Sequence, residues 1–428
     1  MVRGRSRRQA VPNVRAIGSP LFLATVLILG VLAGPKPALA QTNQSALPWD
    51  LNVLAHPPKW TALERPKTDG VKAVFFTGPA FRGQPTRVFA WLGIPKITAP
   101  EKAPGLVLVH GGGGTAFEEW VRLWVGRGYA AIAMDTCGCV SSGGYANHPR
   151  HEHGGPPGWG GFDQIDQPIR DQWPYHAVAD VILAHSLICS FPGVDPERTG
   201  LTGISWGGYL ACIVAGVDQR FKFAAPVYGC GFLGDNSRWV DTFKQMGQAK
   251  SQQWLKLWDP AVYLPHAQMP LLWVTGTTDP AYPMDSLQKS YRLSKAPRTL
   301  CVRVGMSHGH GGPGENPEEI HAMASAVLKD GADLARITTK GREGQNVWVA
   351  FESRTPILKA ELNYTTDTCQ WAKRGWKTIP ANLDTKACRA VAVLPKNASV
   401  YYINIVDERN LIVSSEHEEV LPDAGGGK

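Results

Sequence analysis

The stretch RTGLTGISWGG, residues 198–208, decides the fold. It begins as a short apolar run typical of a strand buried on both faces, and an apolar helical pattern follows it. Ser205 lies between the two in the pattern Gly-x-Ser-x-Gly, where a sharp turn from strand to helix exposes the serine hydroxyl. Only glycine tolerates the crowding on either side of such a turn. The pattern alone is weak in a chain with 46 glycines, but its place between a strand and a helix predicts a nucleophilic serine.

Similar apolar runs flank this stretch and alternate with helical patterns. The runs are GLVLVH (105–110), YAAIAM (129–134), FAAPVY (223–228), PLLWVTG (270–276) and TLCVRV (299–304). Helical patterns cover residues 117–128 and 175–188. Strands that alternate with helices predict a mainly parallel sheet with helices on both faces. Residues 71–77 and 87–95 predict a hairpin before it, because the turn signal FRGQP lies between them.

The chain divides into five predicted segments. They are a signal peptide (1–40), an irregular leader (41–67), an α/β catalytic domain (68–332), a β-sandwich domain (333–420) and a disordered tail (421–428). The sandwich is predicted because, from about residue 335, the apolar period becomes two and no helical pattern intervenes. Residues 141–173 and 231–269 are long Gly/Pro- and Trp-rich interruptions of the α/β pattern. Loops of this length are usually functional, so we expect them to be lids over a site.

The positive charge of the chain is concentrated at its start. Six of the eight excess positive charges lie in residues 1–40, which leaves a formal net charge of +2 for residues 41–428. This basic segment precedes the apolar run 21–34 and the small-x-small site Ala38-Leu39-Ala40. The order is typical of a signal peptide cleaved after Ala40, although an uncleaved anchor is the alternative. We therefore expect a secreted or periplasmic protein with no nucleic-acid partner and no stable membrane association after cleavage.

Two residues downstream of Ser205 complete a candidate catalytic triad. Asp279 follows the run PLLWVTG, and His308 follows the run TLCVRV. A serine hydroxyl needs a nearby base, and the base needs a third group that fixes its tautomer. The carboxyl ends of parallel strands meet at one edge of a sheet, so we expect Ser205, His308 and Asp279 to meet there. His310 is the rival for the base, and we prefer His308 because it lies nearer the strand end.

Backbone amides are expected to stabilise the oxyanion that forms during acyl transfer. One donor should be the amide of Trp206, directly after the nucleophile. The second should come from the glycine run 111–114 after the first parallel strand, with Gly112 or Gly113 as the donor. A phosphate-binding loop is the alternative, but the lysine of a P-loop and the spaced glycines of a dinucleotide site are both missing.

Several motifs together resemble a known group of enzymes. They are VHGGGG (109–114), TGISWGGYLA (202–211), VYGCGFL (227–233) and GMSHGHGG (305–312). They are similar to the secreted α/β-hydrolases grouped with acetyl xylan esterases, dienelactone hydrolases and prolyl oligopeptidase catalytic domains, over about residues 70–330. The resemblance implies an α/β-hydrolase fold and cofactor-free hydrolysis through an acyl-enzyme on Ser205.

Within that group we expect a carbohydrate esterase of the acetyl xylan type, with a small-molecule or polysaccharide ester as substrate. A serine peptidase or amidase of the prolyl oligopeptidase type is the second hypothesis. It is disfavoured because the β-propeller of those enzymes has no room before residue 68. A non-catalytic carbohydrate-binding module on a hydrolase fold is the third hypothesis, and it would require a broken triad. The oligomeric state is left open.

Other residues are assigned more weakly. We place His110, Trp159 and His310 in substrate binding. Tryptophans 159, 173, 239, 254 and 258 lie in the two interruptions, where they either stack on sugar rings or are simply buried. The histidines in NHPRHEHGG (147–155) invite a metal site, but we predict none because helical ligand spacing is missing. In the C-terminal segment, Trp371 and Trp376 either bind carbohydrate or pack on the hydrolase, and we favour packing.

The eight cysteines do not form a disulfide-scaffold pattern in a chain of this length. Cys369 and Cys388 are the ones expected to form a disulfide, because they lie alone in the C-terminal segment. Cys137 and Cys139 are expected to be structural, since they lack the spacer and the second ligand pair of a redox or metal motif.

Overall fold

The computed structural model of the protein describes residues 47–64 and 70–420. The predicted signal peptide and tail lie outside these ranges. The described part of the leader is not irregular, because it contains helix α1 (Leu51–Leu54) and strand β1 (Trp60–Ala62). Trp49 anchors it: its side chain is buried, and its indole N–H donates to the Tyr175 carbonyl over 2.8 Å.

Strand β1 and eight further strands form the larger sheet. The others are β2 (Val71–Phe81), β3 (Gln84–Gly93), β4 (Ala103–Val109), β5 (Ala130–Met134), β6 (Val194–Ile204), β7 (Phe223–Val227), β8 (Leu271–Gly276) and β9 (Arg298–Arg303). Their order is β1-β2-β3-β5-β4-β6-β7-β8-β9. Pairing is antiparallel up to β5 and parallel from β5 to β9. The predicted hairpin and mainly parallel sheet are confirmed.

Helices cover both faces of this sheet. They are α2 (Glu118–Gly126), α3 (Trp173–Cys189), α4 (Trp206–Val217), α5 (Leu233–Asn236), α6 (Val240–Met246), α7 (Gln248–Trp258), α8 (Met284–Tyr291) and α9 (Glu318–Lys329). α2 and α9 share one core cluster, whereas α3, α4 and α7 share the other. All of α4 is buried, because the segment 231–269 packs against it. The sequence predicts a long loop for this segment, yet it contains α5, α6 and α7. Among the described residues, no helix combines the length and apolar character that a membrane span requires.

The C-terminal strands form one sheet. They are β10 (Arg336–Glu343), β11 (Asn346–Glu352), β12 (Ile357–Thr365), β13 (Trp376–Asp384), β14 (Arg389–Val393), β15 (Val400–Asp407), β16 (Ile412–Ser414) and β17 (Glu418–Glu419). Every pairing is antiparallel, and the chain of pairings β10-β11-β14-β13-β12-β15-β16 is continuous. The sheet curls into a half-barrel around its own core. The C-terminal region is therefore a half-barrel and not clearly the predicted β-sandwich, because alternation reports one buried face per strand and a curled sheet also buries one face.

The C-terminal sheet packs on the end of the larger sheet at β9. Val302 in β9 receives a hydrogen bond at its carbonyl from Asn404 Nδ2 (3.2 Å) and donates its N–H to Ser414 Oγ (2.8 Å). Trp371 is buried there with Val302 and Tyr402, as the packing hypothesis expected. The β9 strand leads directly into the loop that carries His308, so this contact supports the site.

Candidate active site

Ser205 occupies a strained turn between β6 and α4. Its backbone has φ 56° and ψ −116°, outside the regions that non-glycine residues usually adopt. A β-carbon on Gly203 would collide with the Gly207 carbonyl, and one on Gly207 would collide with the Val109 carbonyl. The two glycines of the motif are thus required by close backbone contacts, and the turn leaves the Ser205 side chain at the start of α4.

The three predicted triad residues meet in one hydrogen-bonded chain. His308 Nε2 lies 2.8 Å from Ser205 Oγ, and His308 Nδ1 lies 2.6 Å from Asp279 Oδ2. Asp279 Oδ1 accepts from the N–H groups of Ala281 (2.9 Å) and Tyr282 (2.7 Å). The carboxylate therefore faces the imidazole in one fixed orientation. This places the proton of His308 on Nδ1 and leaves Nε2 free to accept the serine proton.

Aromatic rings surround this chain. Asp279 is buried, and the rings of Tyr228 and Tyr282 lie 4.7 Å and 6.4 Å from the His308 ring. Tyr228 donates its hydroxyl proton to the Gly309 carbonyl over 3.1 Å, which ties the histidine loop to the end of β7. Burial raises the pKa of both phenols, so both rings stay neutral and add no charge beside His308 and Asp279.

The glycine run and the start of α4 face each other. Trp206 is the first residue of α4, so its N–H has no partner within the helix. A β-carbon on Gly112 would lie 2.8 Å from Trp206 Cδ1, whereas one on Gly113 would lie against the Tyr145 ring. Of the two predicted donors in the run, Gly112 is thus the one beside Trp206, and Gly113, at φ +80°, turns towards the loop that carries Tyr145.

His110 lies beneath the glycine run and has no access to solvent. Its Nδ1 lies 2.8 Å from the Gly111 carbonyl, and its Nε2 accepts from the Thr136 N–H over 3.0 Å. Burial lowers its pKa to about 4, so the ring is neutral. This residue was placed in substrate binding, but its side chain is enclosed and both ring nitrogens are engaged by the backbone.

His310 lies on the far side of the same run. Its Nε2 accepts from the Gly111 N–H over 2.7 Å, and its Nδ1 lies 3.3 Å from Glu315 Oε1. The structure therefore brings His308, and not His310, to Ser205. His310 is also a poor substrate contact, because its ring is mostly buried against Phe117 and Trp120.

The first interruption, 141–173, reaches the glycine run. Trp159 is half-buried 3.6 Å from the position of a β-carbon on Gly112, consistent with its predicted place near the site. Tyr145, which sequence reasoning missed, is exposed and donates its hydroxyl proton to the Gly112 carbonyl over 2.8 Å. The other tryptophans of the interruptions divide by burial: Trp173, Trp254 and Trp258 are buried, and Trp239 is half-buried against the Trp206 ring.

Asp135 is a second residue that the sequence did not reveal. It follows β5, and its Oδ1 accepts from Thr115 Oγ1 over 3.0 Å. Its Oδ2 accepts from the N–H groups of Cys137 (2.8 Å) and Cys139 (2.7 Å). The carboxylate thus holds both the segment after the glycine run and the residues that lead into the first interruption. Its position at a strand end, like that of Asp279, was the available signal.

The histidine-rich loop is held by other contacts. Arg150 donates to the carbonyls of Cys137 and Gly155, and His151 packs against Phe75 with ring centroids 4.9 Å apart. Within residues 47–64 and 70–420, no three His, Cys, Asp or Glu side chains are grouped as metal ligands.

All eight cysteines are free, so the predicted Cys369–Cys388 disulfide is wrong. The reason is topological, because Cys369 precedes β13 and Cys388 follows it. A strand of nine residues spans ~30 Å, far beyond the reach of a disulfide.

Residues 64–264 match the acetyl xylan esterase (AXE1) family model. This part of the chain is an AXE1-family α/β-hydrolase. The AXE1 match includes Ser205 and the glycine run, whereas Asp279 and His308 lie beyond it.

Individual relatives include both esterases and peptidases. Over 222 residues the chain is 26% identical to the uncharacterized peptidase YuxL of Bacillus subtilis; the match covers 48% of this chain and only 30% of that relative. The acetyl xylan esterase from Paenibacillus sp. R4 superimposes with a TM-score of 0.51 and 22% identity, over 65% of this chain and 92% of that one. The acylaminoacyl peptidase of Pyrococcus horikoshii gives a TM-score of 0.46 and 22% identity, over 61% and 43%. The likeness to the Paenibacillus esterase supports the α/β-hydrolase fold alone.

Proposed function

We propose that this AXE1-family chain is a serine esterase that cleaves carboxylic esters through an acyl-enzyme, with acetylated carbohydrate as the substrate class. The observation that carries the proposal is the continuous hydrogen-bonded chain from Asp279 through His308 to Ser205 at a strained turn. The family match supports the choice of an acetyl ester.

The geometry supports a two-step reaction. Ser205 Oγ attacks the ester carbonyl while His308 Nε2 takes the hydroxyl proton, and Asp279 stabilises the imidazolium. The amides of Trp206 and Gly112 donate to the oxyanion. His308 then gives its proton to the leaving alcohol, and an acyl-enzyme remains. Water, deprotonated by His308, attacks the acyl group and releases the acid and free Ser205.

The nucleophile is tested by Ser205→Ala with 4-nitrophenyl acetate. We expect at least a ~10⁴-fold loss of kcat, because no other group supplies the attacking oxygen. Ser190→Ala at the end of α3 is the matched control and should retain wild-type activity. A fluorophosphonate probe should label Ser205 in the wild type. Unchanged turnover in Ser205→Ala would sink the proposal, and failure to label would favour the non-catalytic binding module.

A peptidase or amidase remains the second candidate, favoured by the identity with the peptidase YuxL. A parallel panel separates the two reactions: acetate release from acetylated xylan, and cleavage of acylated aminoacyl and prolyl 4-nitroanilides. We expect kcat/KM on the ester substrates to exceed that on the anilides. The reverse ranking would assign the triad to peptide or amide hydrolysis.

We also propose that residues 1–40 direct export and are removed. The support is the sequence pattern of a basic segment, an apolar run and a small-x-small site. Expression of the full chain in a Gram-negative host should yield a periplasmic or extracellular protein that begins at Gln41. A protein that retains Met1 and sediments with membranes would support the anchor instead.

A further inference from the structure

The site contains a second histidine–carboxylate pair that the proposed reaction does not use. Glu315 Oε1 faces His310 Nδ1, and His310 Nε2 accepts from the Gly111 N–H over 2.7 Å. The His310 side chain is only 10% exposed and packs against Phe117, with ring centroids 4.7 Å apart. The ring is therefore fixed between the histidine loop and the glycine run.

The hydrogen bond to Gly111 specifies the protonation state of His310. An imidazole nitrogen accepts a hydrogen bond only when it carries no proton, so the single proton of the neutral ring must lie on Nδ1. Nδ1 is the nitrogen that faces Glu315. A proton added to Nε2 would place two N–H donors against each other at Gly111.

Gly111 is the point where the glycine run touches the nucleophile. A β-carbon on Gly111 would lie 2.8 Å from the Ile204 carbonyl and 2.9 Å from Ser205 Cβ. Its own carbonyl accepts from the Gly114 N–H over 3.2 Å and faces His110 Nδ1. Both sides of the residue are thus held, which fixes the direction of the following peptide and of its N–H, that of Gly112.

We propose that neutral His310 is a positioning residue that holds the oxyanion loop, and that protonation of its Nε2 releases the loop and stops the reaction. This inference rests on the proposed function, because it assigns the Gly112 amide to the oxyanion. It adds a second histidine whose neutral form is needed for activity.

The groups that face His310 come from three parts of the fold. The rings of Phe117, directly before α2, and Trp120, within it, pack against His310. From the histidine loop come Glu315 and the catalytic His308. Below the glycine run lies His110, with Asp135 3.8 Å from its Nε2. Because burial lowers the pKa of His110 to about 4, that ring stays neutral until the pH falls to about that value.

The pH profile of kcat/KM tests this arrangement. Towards acid pH, the wild type should lose activity with a limiting slope of about 2 in log kcat/KM per pH unit, because two groups must be neutral. His310→Gln should fall with a slope of about 1. The glutamine carbonyl accepts from the Gly111 N–H but takes up no proton. A slope of 1 in the wild type would overturn the proposal.

A second variant removes the acceptor altogether. His310→Leu should lower kcat ~10- to 100-fold at alkaline pH with little change in KM, since it disturbs a donor used in the transition state. His310→Gln should restore kcat to within about threefold of the wild type. The exposed His266→Gln is the matched control. Equal losses in the Gln and Leu variants would assign His310 a packing role and contradict the proposal.

A measurement without turnover separates this inference from the proposed function. Hydrogen exchange of the peptide spanning 110–114, corrected for intrinsic rates, should be slow in the wild type and in His310→Gln at alkaline pH, and fast in His310→Leu. In acid, exchange should accelerate in the wild type but not in His310→Gln. This pattern in a protein that hydrolyses no ester would reject the esterase and keep the positioning role. If the exchange rate of residues 110–114 is the same in the wild type and in both His310 variants, the positioning role is rejected and the esterase proposal is unaffected.

Discussion

The site contains two histidine–carboxylate pairs that differ in what they serve. In the Asp279–His308 pair the carboxylate lies 2.6 Å from Nδ1, is buried, and accepts two backbone N–H groups. In the Glu315–His310 pair the carboxylate lies 3.3 Å away and is partly exposed. Both pairs leave Nε2 as an acceptor, for the Ser205 hydroxyl in one pair and the Gly111 amide in the other. The same unprotonated Nε2 thus takes part in proton transfer in the Asp279–His308 pair and holds the glycine run in the Glu315–His310 pair.

The largest expected difference between the pairs is in the carboxylates. In Asp279→Asn the N–H groups of Ala281 and Tyr282 still demand an oxygen at the Oδ1 position. The amide NH₂ must then face His308, which forces the proton onto Nε2 and blocks proton transfer from Ser205. We expect kcat to fall ~10⁴-fold on 4-nitrophenyl acetate.

Glu315→Gln is the matched change in the other pair. A glutamine carbonyl can turn towards Nδ1–H, so the tautomer of His310 survives, and we expect a loss of less than ~10-fold. Similar losses in Asp279→Asn and Glu315→Gln would erase the distinction between the two pairs.

The next largest effect is expected at Gly111, which lies against Ser205 and donates its N–H to His310. A β-carbon in Gly111→Ala would press on the Ile204 carbonyl, Ser205 Cβ and His310 Nε2, so the glycine run must shift. A misplacement of this kind is expected to lower kcat ~10²-fold. Gly126→Ala at the end of α2 meets nothing within 4 Å and should leave kcat unchanged. Steady-state kinetics of the two variants checks this, and equal rates would show that the run tolerates displacement.

Acid should also weaken the fold as a whole, through histidines away from the two pairs. Burial lowers the pKa of His110, His176 and His321 to about 4 and that of His417 to about 3. The unfolded chain binds these protons near pH 6.5, so stability is full above that pH and is lost as the pH falls towards 4. Each of the first three histidines contributes at most ~3.5 kcal/mol and His417 at most ~5 kcal/mol, measurable by urea unfolding.

His417→Gln should reduce the decrease in the free energy of unfolding between pH 6.5 and 4, because glutamine does not titrate. A free energy of unfolding that rises as the pH falls from 6.5 to 4 would contradict the assignment. Comparing this curve with the pH profile of kcat/KM separates inactivation at the site from unfolding.

The smallest effect is expected at the exposed edge of the glycine run. Tyr145→Phe removes one hydrogen bond to the Gly112 carbonyl, worth ~1 kcal/mol, and should lower kcat/KM between two- and tenfold. Tyr364→Phe in the C-terminal sheet is the control. A wild-type rate in Tyr145→Phe would show that His310 and His110 hold the run without help from the first interruption.

The larger sheet could be predicted from sequence because its buried strands are nearly continuous apolar runs bounded by glycine or a polar residue. The C-terminal region was harder. Neither β10 nor β13 has a fully buried residue, so neither run stood out. Whether alternating strands form a sandwich or a half-barrel depends on which strands pair, and alternation does not encode pairing. The helices of residues 231–269 could not be predicted because glycine, proline and tryptophan give this segment a low helix propensity. Burial of its side chains against α4 outweighs that local propensity.

The candidate triad could be proposed from residue order and strand ends alone. The sequence supported the choice of His308 over His310 less strongly, because both lie in one loop. Only the fold decides which ring reaches Ser205. Tyr145 and Asp135 were missed for a related reason, since their partners are backbone groups distant in sequence. His110 was misplaced because a histidine beside a glycine run gives no sign of its burial.

The contact between β9 and the C-terminal half-barrel has a consequence for solubility. β9 is the last strand in the order of the larger sheet, and an exposed strand edge is a template for pairing with another chain. Ser414 and Asn404 occupy the outward N–H and carbonyl of Val302 at that edge. A hydrolase domain cut off before Arg336 should therefore aggregate through β9 even with its triad intact. By covering the β9 edge, the half-barrel is expected to prevent self-association through that strand.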